Sequence, residues 1–320
     1  MVDATTADAL RVVFFGTPDF AVPTLDALLH SRHRVVGIVT QPDRPRGRGF
    51  EVTDAPVKAH ASAAGVPVLQ PEKLKDPTFL TAFSALDADL AVVAAYGKIL
   101  TDTILALPRL GFVNVHASLL PRHRGAAPVH RAIIAGDRET GVTIMRIVKA
   151  LDAGPMLATV RVPIGPDDQS DEVERHLARL GAGLLVSTVD ALAGGHVIAV
   201  AQDSTQATYA RRLTKEEGLV DWMQSAGRVH NLIRGLHPWP LAFSFLNGKR
   251  LILRRSAVLA ALNAPPGTVV EAQGDRFTVA AGTSGIAILE IQAEGKRPMA
   301  PREFLAGHRI TPGSHFSSLP

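Results

Sequence analysis

Asn114, Val115 and His116 set an amide and an imidazole two residues apart at the end of an apolar run, and Leu151-Asp152-Ala153-Gly154 follows at a distance. Alternation along a strand places residues i and i+2 on one side. Gly111-Phe112-Val113 reads as the strand leading in, and Leu120-Pro121 must break regular pairing because proline has no N–H to donate. In an open α/β sheet the carboxyl ends of the strands are where ligands sit. There an amide N–H can meet a developing oxyanion and an imidazole can give or take a proton. The Asp152 carboxylate can either fix the imidazole tautomer or accept an amine's proton. Such a set suits acyl transfer to an amine and requires no metal. On spacing alone the plainer alternative is that Asn114 caps a turn and His116 is a satisfied, half-buried histidine.

Strands and helices must alternate to bring such a trio together. Arg11-Val12-Val13-Phe14-Phe15, residues 34–39, residues 90–94 and Phe112-Val113-Asn114-Val115 are short β-branched or aromatic runs ended by glycine or polar residues. Helical segments are expected at 22–29, 57–64 and 80–86, and after the signature loop at 129–135. A further strand is expected at 142–148, just before Asp152, and a long helix at 171–193 that packs across the sheet. Strand and helix at this spacing predict a doubly wound, mostly parallel, Rossmann-like sheet. The first turn, Gly16-Thr17-Pro18-Asp19, lacks the Gly-x-Gly-x-x-Gly pattern that brings a backbone against a pyrophosphate, which argues against a nicotinamide cofactor.

Residues 196–213 read as a polar linker, with Gln202-Asp203-Ser204-Thr205-Gln206 at their centre. Beyond them the pattern changes to a helix at 226–234, then Pro238-Trp239-Pro240, then short strands at 241–246, 250–253, 268–272, 276–280 and 286–291. Asn247-Gly248 is a strong hairpin turn. Closely spaced strands and turns predict a small OB-like β-barrel. The expected division is therefore a catalytic domain over 1–195, a linker over 196–213 and a barrel over 214–320.

The chain has 320 residues, 46% of them hydrophobic, and no cysteine. That excludes disulfides, thiolate catalysis and cysteine zinc sites. No apolar run is long enough to suggest a membrane span, and residues 1–8 carry two acids and no base, so a cytoplasmic protein is expected; a monomer is the expected state, although no pattern in the sequence sets it. Net charge is +4, unevenly spread: residues 206–320 hold 14 Lys and Arg against 8 Asp and Glu, and the rest holds 20 against 22. A basic second half fits a surface that meets phosphates, or ordinary solvated charge. Arg44, Arg46 and Arg48 lie between prolines and glycines in residues 41–54, a composition expected to stay mobile until a partner orders it. His116, His123 and His130 recur every seven residues, but Pro121 and Pro128 prevent one helix from carrying all three, so a metal cluster is not expected. Arg122 and Arg124 read equally as partners for a carboxylate and as surface charge.

Taken together, Asn114-Val115-His116, Ser118-Leu119-Leu120-Pro121 with Arg122-His123-Arg124-Gly125, and Leu151-Asp152-Ala153-Gly154 resemble the signature of the 10-formyltetrahydrofolate-dependent formyltransferases. Phe15-Gly16-Thr17-Pro18-Asp19-Phe20-Ala21, Thr40-Gln41-Pro42-Asp43-Arg44-Pro45, Gly125-Ala126-Ala127-Pro128, Leu213-Thr214-Lys215-Glu216-Glu217 and Pro238-Trp239-Pro240 are similar to the branch of that family acting on methionyl-tRNA. The resemblance runs from about residue 11 to the end. It implies that Asn114, His116 and Asp152 are catalytic and that Ser118, Leu119, Leu120 and Pro121 hold the pterin end of the folate, with the Leu120–Pro121 bond cis. It implies 10-formyltetrahydrofolate as co-substrate, initiator methionyl-tRNA as partner, N-formylmethionyl-tRNA for translation initiation as product, and a tRNA-binding loop with Arg44, Arg46 and Arg48. Here Phe50-Glu51 stand where that branch often has lysines. A sugar-amine formyltransferase or formyl-folate hydrolase would share the trio but not the basic barrel or the arginine loop. A silent RNA-binding protein on this scaffold would not need the trio.

Overall fold

The computed structural model describes residues 9–46, 51–282 and 284–317. Contacts divide the chain into two units that are not contiguous in sequence: 1–126, 140–162 and 174–210 form one, and 127–139, 163–173 and 211–320 the other.

The first unit is built on a seven-stranded sheet in the order Met156–Pro163, Glu139–Arg146, Phe112–His116, Leu90–Ala94, Arg11–Gly16, Arg34–Val39, Val68–Leu69. The five strands from Phe112–His116 outward run parallel, and Glu139–Arg146 runs antiparallel to Phe112–His116. Strands buried on both faces need continuous apolar runs, and Arg11–Gly16 and Leu90–Ala94 supply them. Phe15 is the hub of one face, its ring 5.3 Å from Tyr96, 5.4 Å from Phe112 and 5.6 Å from Phe83. The helices Val22–Leu29, Pro56–Ala63 and Pro77–Ala85 each carry proline in the first turn, where its missing N–H costs nothing. The Asp76 carboxylate caps Pro77–Ala85 by accepting from Thr78 N–H. The helix Ser170–Ala193 comes so near the sheet at Gly181 that a Cβ there would lie 3.0 Å from Val115 and 3.2 Å from Val142.

Two neighbouring strands at one side of this sheet depart from the sequence expectation. Glu139–Arg146 begins and ends earlier than 142–148. Met156–Pro163 has no counterpart in the sequence pattern, because as the edge strand it leaves most of its side chains partly exposed. Gly141 allows these two strands to close: a Cβ there would overlap the Val160 carbonyl and lie 2.5 Å from Leu119.

The second unit is a six-stranded antiparallel sheet in the order Val269–Gln273, Arg276–Ala281, Ser284–Ala293, Lys249–Ala261, Ala242–Leu246, Phe316–Ser317. Its two edges meet: Phe316 N–H donates to Gly267 O and Val269 N–H to Ser314 O, each at 2.8 Å. Asn247 and Gly248 both have positive φ, 51° and 71°, as a two-residue hairpin requires. Lys249–Ala261 runs far beyond the expected 250–253: Arg254 and Arg255 interrupt its apolar pattern and shift its register against Ser284–Ala293, and the pairing resumes beyond them. The core gathers Trp222, Ile233, Leu253, Phe277, Phe304 and Phe316, and the Trp222 indole N–H donates to Ser244 Oγ at 3.0 Å. No helix among the described residues is long and apolar enough to cross a membrane.

Replacing Gly141 with alanine forces these strands apart. Overpacking of this kind costs about 1–3 kcal/mol. Urea unfolding of Gly141→Ala is expected to show a lower midpoint, and an unchanged midpoint would contradict the closeness of this strand pair.

Candidate active site

Asn114 and His116 lie on the last residues of the strand Phe112–His116, two apart and so on one side of it. Their backbones are fixed across the ladder to Met145 and Thr143. His116 is buried, with 5% exposure, and Asn114 is partly exposed.

Past His116 the chain folds into a tight loop whose polar groups satisfy one another. Ser118 Oγ donates to Arg122 O at 2.7 Å, Thr143 Oγ1 donates to Ser118 O at 2.7 Å, and Leu120 N–H donates to Thr143 Oγ1 at 3.3 Å. The Leu120–Pro121 bond is cis. Ser118 is wholly buried and its hydroxyl is engaged, which makes it a former of this loop. Leu120 is buried too, while Leu119 and Pro121 are partly exposed.

The loop turns back at His123, whose φ is 59°, and its carbonyl comes 2.9 Å from His116 Nε2. A carbonyl only accepts, so Nε2 carries a proton and Nδ1 is left facing Asp152, with Oδ2 at 3.7 Å. That separation is too long for a hydrogen bond. What fixes the imidazole is the His123 carbonyl, and the carboxylate is fixed elsewhere: Asp152 Oδ2 accepts Gly125 N–H at 2.8 Å. Of the two roles open to Asp152 in the sequence, accepting a proton fits this geometry better than holding the tautomer.

Two glycines make the arrangement possible. Gly125 has φ 120°, and a Cβ there would be 2.7 Å from the Ala210 carbonyl; a Cβ on Gly154 would overlap the Arg146 carbonyl. Asp152 itself has φ 46°, a left-handed conformation that Asp tolerates better than most residues.

Residues 202–210, part of the segment that reads as a linker, are bound to this loop. Tyr209–Ala210 pairs in parallel with Arg124–Gly125, Thr208 Oγ1 accepts His123 N–H at 2.9 Å, and Gln202 bonds to Asp152, Gly154 and Arg124. Arg124, read as surface charge or a carboxylate partner, is instead buried against Gln202 and Ser204. Sequence reasoning missed Gln202 because a polar side chain in a solvated linker and one tying two loops look the same in one dimension.

The backbone of Arg44–Arg46 pairs with Glu51–Thr53 as a two-stranded ribbon within the segment 41–54, which the sequence marks as a loop; Arg48 lies outside the described residues. Asp43, at the ribbon's base, bonds to Lys58 and to Gln70 Nε2, and the Lys58 ammonium holds the Asp43 carboxyl below the usual carboxylate range. His130 lies in the second unit, where Nδ1 is 2.7 Å from Gly235 O. Among the described residues no group of three or more His, Asp or Glu side chains is placed to hold a metal ion.

Residues 10–189 match the formyl transferase family, and residues 212–309 match the formyl transferase C-terminal domain. The methionyl-tRNA formyltransferase of Caldanaerobacter subterraneus subsp. tengcongensis is 47% identical over 307 residues, which is 95% of this chain and 99% of that protein. The chain belongs to the methionyl-tRNA formyltransferase family. A second member, from Methylococcus capsulatus, is also 47% identical, over 94% of this chain and 98% of its own. Among solved structures, an N-formyltransferase from Helicobacter canadensis in complex with folinic acid and dTDP-3-aminofucose covers 87% of this chain and 99% of its own, with TM-score 0.66 and 15% identity. At that identity the likeness is one of fold.

Gly154→Ala is expected to preserve folding but push the 147–155 loop away from Arg146, moving Asp152 off Gly125. Misplacement of a reacting group by about 1 Å can cost on the order of 10²-fold. Steady-state formyl-transfer kinetics should show the loss in kcat, and a Gly154→Ala enzyme with unchanged kcat would mean that the close approach does not position Asp152.

Proposed function

We propose that this chain transfers the formyl group of 10-formyltetrahydrofolate to the α-amine of initiator methionyl-tRNA, giving N-formylmethionyl-tRNA and tetrahydrofolate in the cytoplasm. The observation that carries the reading is the placing of Asn114 and His116 on one side of a strand end with Asp152 Oδ2 3.7 Å from His116 Nδ1. The amine attacks the formyl carbon on N10, and the carbonyl oxygen becomes an oxyanion. The Asn114 amide N–H and a protonated His116 Nδ1 stabilise it. Asp152 takes the proton that the amine nitrogen loses, and N10 gains one as the C–N10 bond breaks, so no net proton is released. Ser118, Leu119, Leu120 and Pro121 form the loop that holds the pterin.

In this reading the closed sheet of the second unit is an OB-like barrel that meets tRNA phosphates, and Arg44, Arg46 and Arg48 meet the acceptor end. The enzyme works as a monomer on one tRNA. The deciding experiment offers charged initiator tRNA, charged elongator methionine tRNA and methionine alone, with 10-formyltetrahydrofolate. Formylation confined to charged initiator tRNA is expected; equal formylation of methionine alone would overturn the reading.

One oxyanion donor or acid-base group is typically worth about 10²- to 10³-fold. Asn114→Ala, His116→Ala and Asp152→Ala should each lose turnover on that scale, with non-additive losses when combined. A folded His116→Ala protein that kept near-normal kcat would remove the trio.

For the tRNA surface, a side chain that neutralises one phosphate adds about one unit to the slope of log affinity against log salt, and its removal lowers the slope by as much. Arg48→Ala, and alanine replacements of the exposed barrel residues Lys249 and Arg309, are to be compared by binding titrations across salt concentrations. Slopes unaltered by all three would leave these charges facing solvent.

A further inference from the structure

Gln202 uses the whole hydrogen-bonding capacity of its amide on two loops. Its Nε2 donates to the carbonyls of Asp152 at 2.8 Å and Gly154 at 2.7 Å. Its Oε1 accepts from Arg124 Nε at 3.0 Å and Nη2 at 2.8 Å. Arg124 is 4% exposed, so the amide oxygen meets a buried guanidinium that needs an acceptor. On the other side Asp152 is in the left-handed region at φ 46°, and both carbonyls bracketing its turn point at one NH2 group.

We propose that Gln202 is a positioning residue for formyl transfer: by bridging the Asp152 and Gly154 carbonyls to the Arg124 guanidinium, it holds the turn from which the Asp152 carboxylate reaches Gly125 and His116. This rests on the reading of Asp152 as a member of the reacting trio. The side chain acts from outside the site, since every atom it bonds belongs to backbone carbonyls or to Arg124. A neutral amide is the group that fits, because the position must donate twice and accept twice. A carboxylate there keeps the Arg124 pairing and turns its lone pairs against the two carbonyls.

That asymmetry sets the test. Gln202→Glu should fold, because Arg124 keeps its partner, yet release the Asp152 turn. Its kcat is expected to fall about 10- to 100-fold, with KM for both substrates within about twofold of the starting enzyme. Asp152→Asn, and Asp152→Asn combined with Gln202→Glu, complete a cycle. If Gln202 works through Asp152, the double variant is no slower than Asp152→Asn alone. Losses that multiply would overturn the proposal, as would a Gln202→Glu enzyme with normal kcat while Asp152→Asn is impaired. Should Gln202→Glu not fold, Gln202→Met, similar in shape and without charge, takes its place in the cycle. Failure of both to fold would make the residue a structural tie and overturn the positioning role. Normal turnover by Asp152→Asn is the separate outcome that removes the trio itself.

Discussion

A single carboxylate oxygen, Asp152 Oδ2, is where the separate segments of the first unit converge. It accepts the Gly125 amide at 2.8 Å and stands 3.7 Å from His116 Nδ1. On the far side of the imidazole, Nε2 is held by the His123 carbonyl at 2.9 Å. The two titratable side chains are therefore each fixed by a backbone group, and the gap between them is set before any substrate arrives. Any charge placed between them meets dipoles already oriented, the condition under which electrostatic stabilisation is largest. Much else follows from keeping that gap. The glycines at 125 and 154 exist where a Cβ would strike a carbonyl, and the internally bonded 118–122 loop returns the chain so that the His123 carbonyl faces back toward His116.

Non-contiguous membership of the second unit also has a polar cause. The segments 163–173 and 127–139 are bound to it through polar groups: the Arg234 guanidinium donates to the carbonyls of Gly165 and Asp168, and Ser170 Oγ from the first segment and His130 Nδ1 from the second both donate to the Gly235 carbonyl. Burial pulls the Arg234 pKa down from its ordinary value. With three acceptors, the third being Asn231 Oδ1, this buried cation keeps the partners it needs. Apolar packing adds to it, since Ala127, Leu213 and Leu236 form a small cluster of their own. Both short segments thus follow the location of their hydrogen-bond partners more than their place in the sequence.

What the sequence makes legible is local. Periodicity marks Arg34–Val39 and Leu90–Ala94, and Asn247-Gly248 names its own turn, because these depend on neighbours a few residues away. The spacing of Asn114 and His116 is legible for the same reason. The ties of Gln202 are not, because its partners lie 48, 50 and 78 residues distant and nothing in a polar pentapeptide distinguishes solvent from a carbonyl as the acceptor. Arg124 misleads on the same ground: a charged residue is usually exposed unless paired, and its pair comes from the segment that reads as a linker. The edge strand Met156–Pro163 escapes because its exposure gives it little apolar alternation to detect.

The chemistry of an amide, an imidazole and a carboxylate at a strand end is indifferent to what carries the amine. An oxyanion donor recognises the tetrahedral carbon, and a proton acceptor recognises any attacking nitrogen, so neither distinguishes a small amine from an aminoacyl ester on a nucleic acid. Selectivity must then arise where the remainder of the substrate is touched. In this chain the basic surplus of residues 206–320 and the arginines of the ribbon lie in segments other than those that carry the trio. Phosphate contacts add affinity and orientation without depending on the reacting carbon, so such surfaces could change while the geometry around Asp152 stayed fixed. The segment 200–210 departs from that separation. It belongs to the first unit, and its Gln202, Thr208 and Ala210 bond directly to the loops that hold Asp152 and His123.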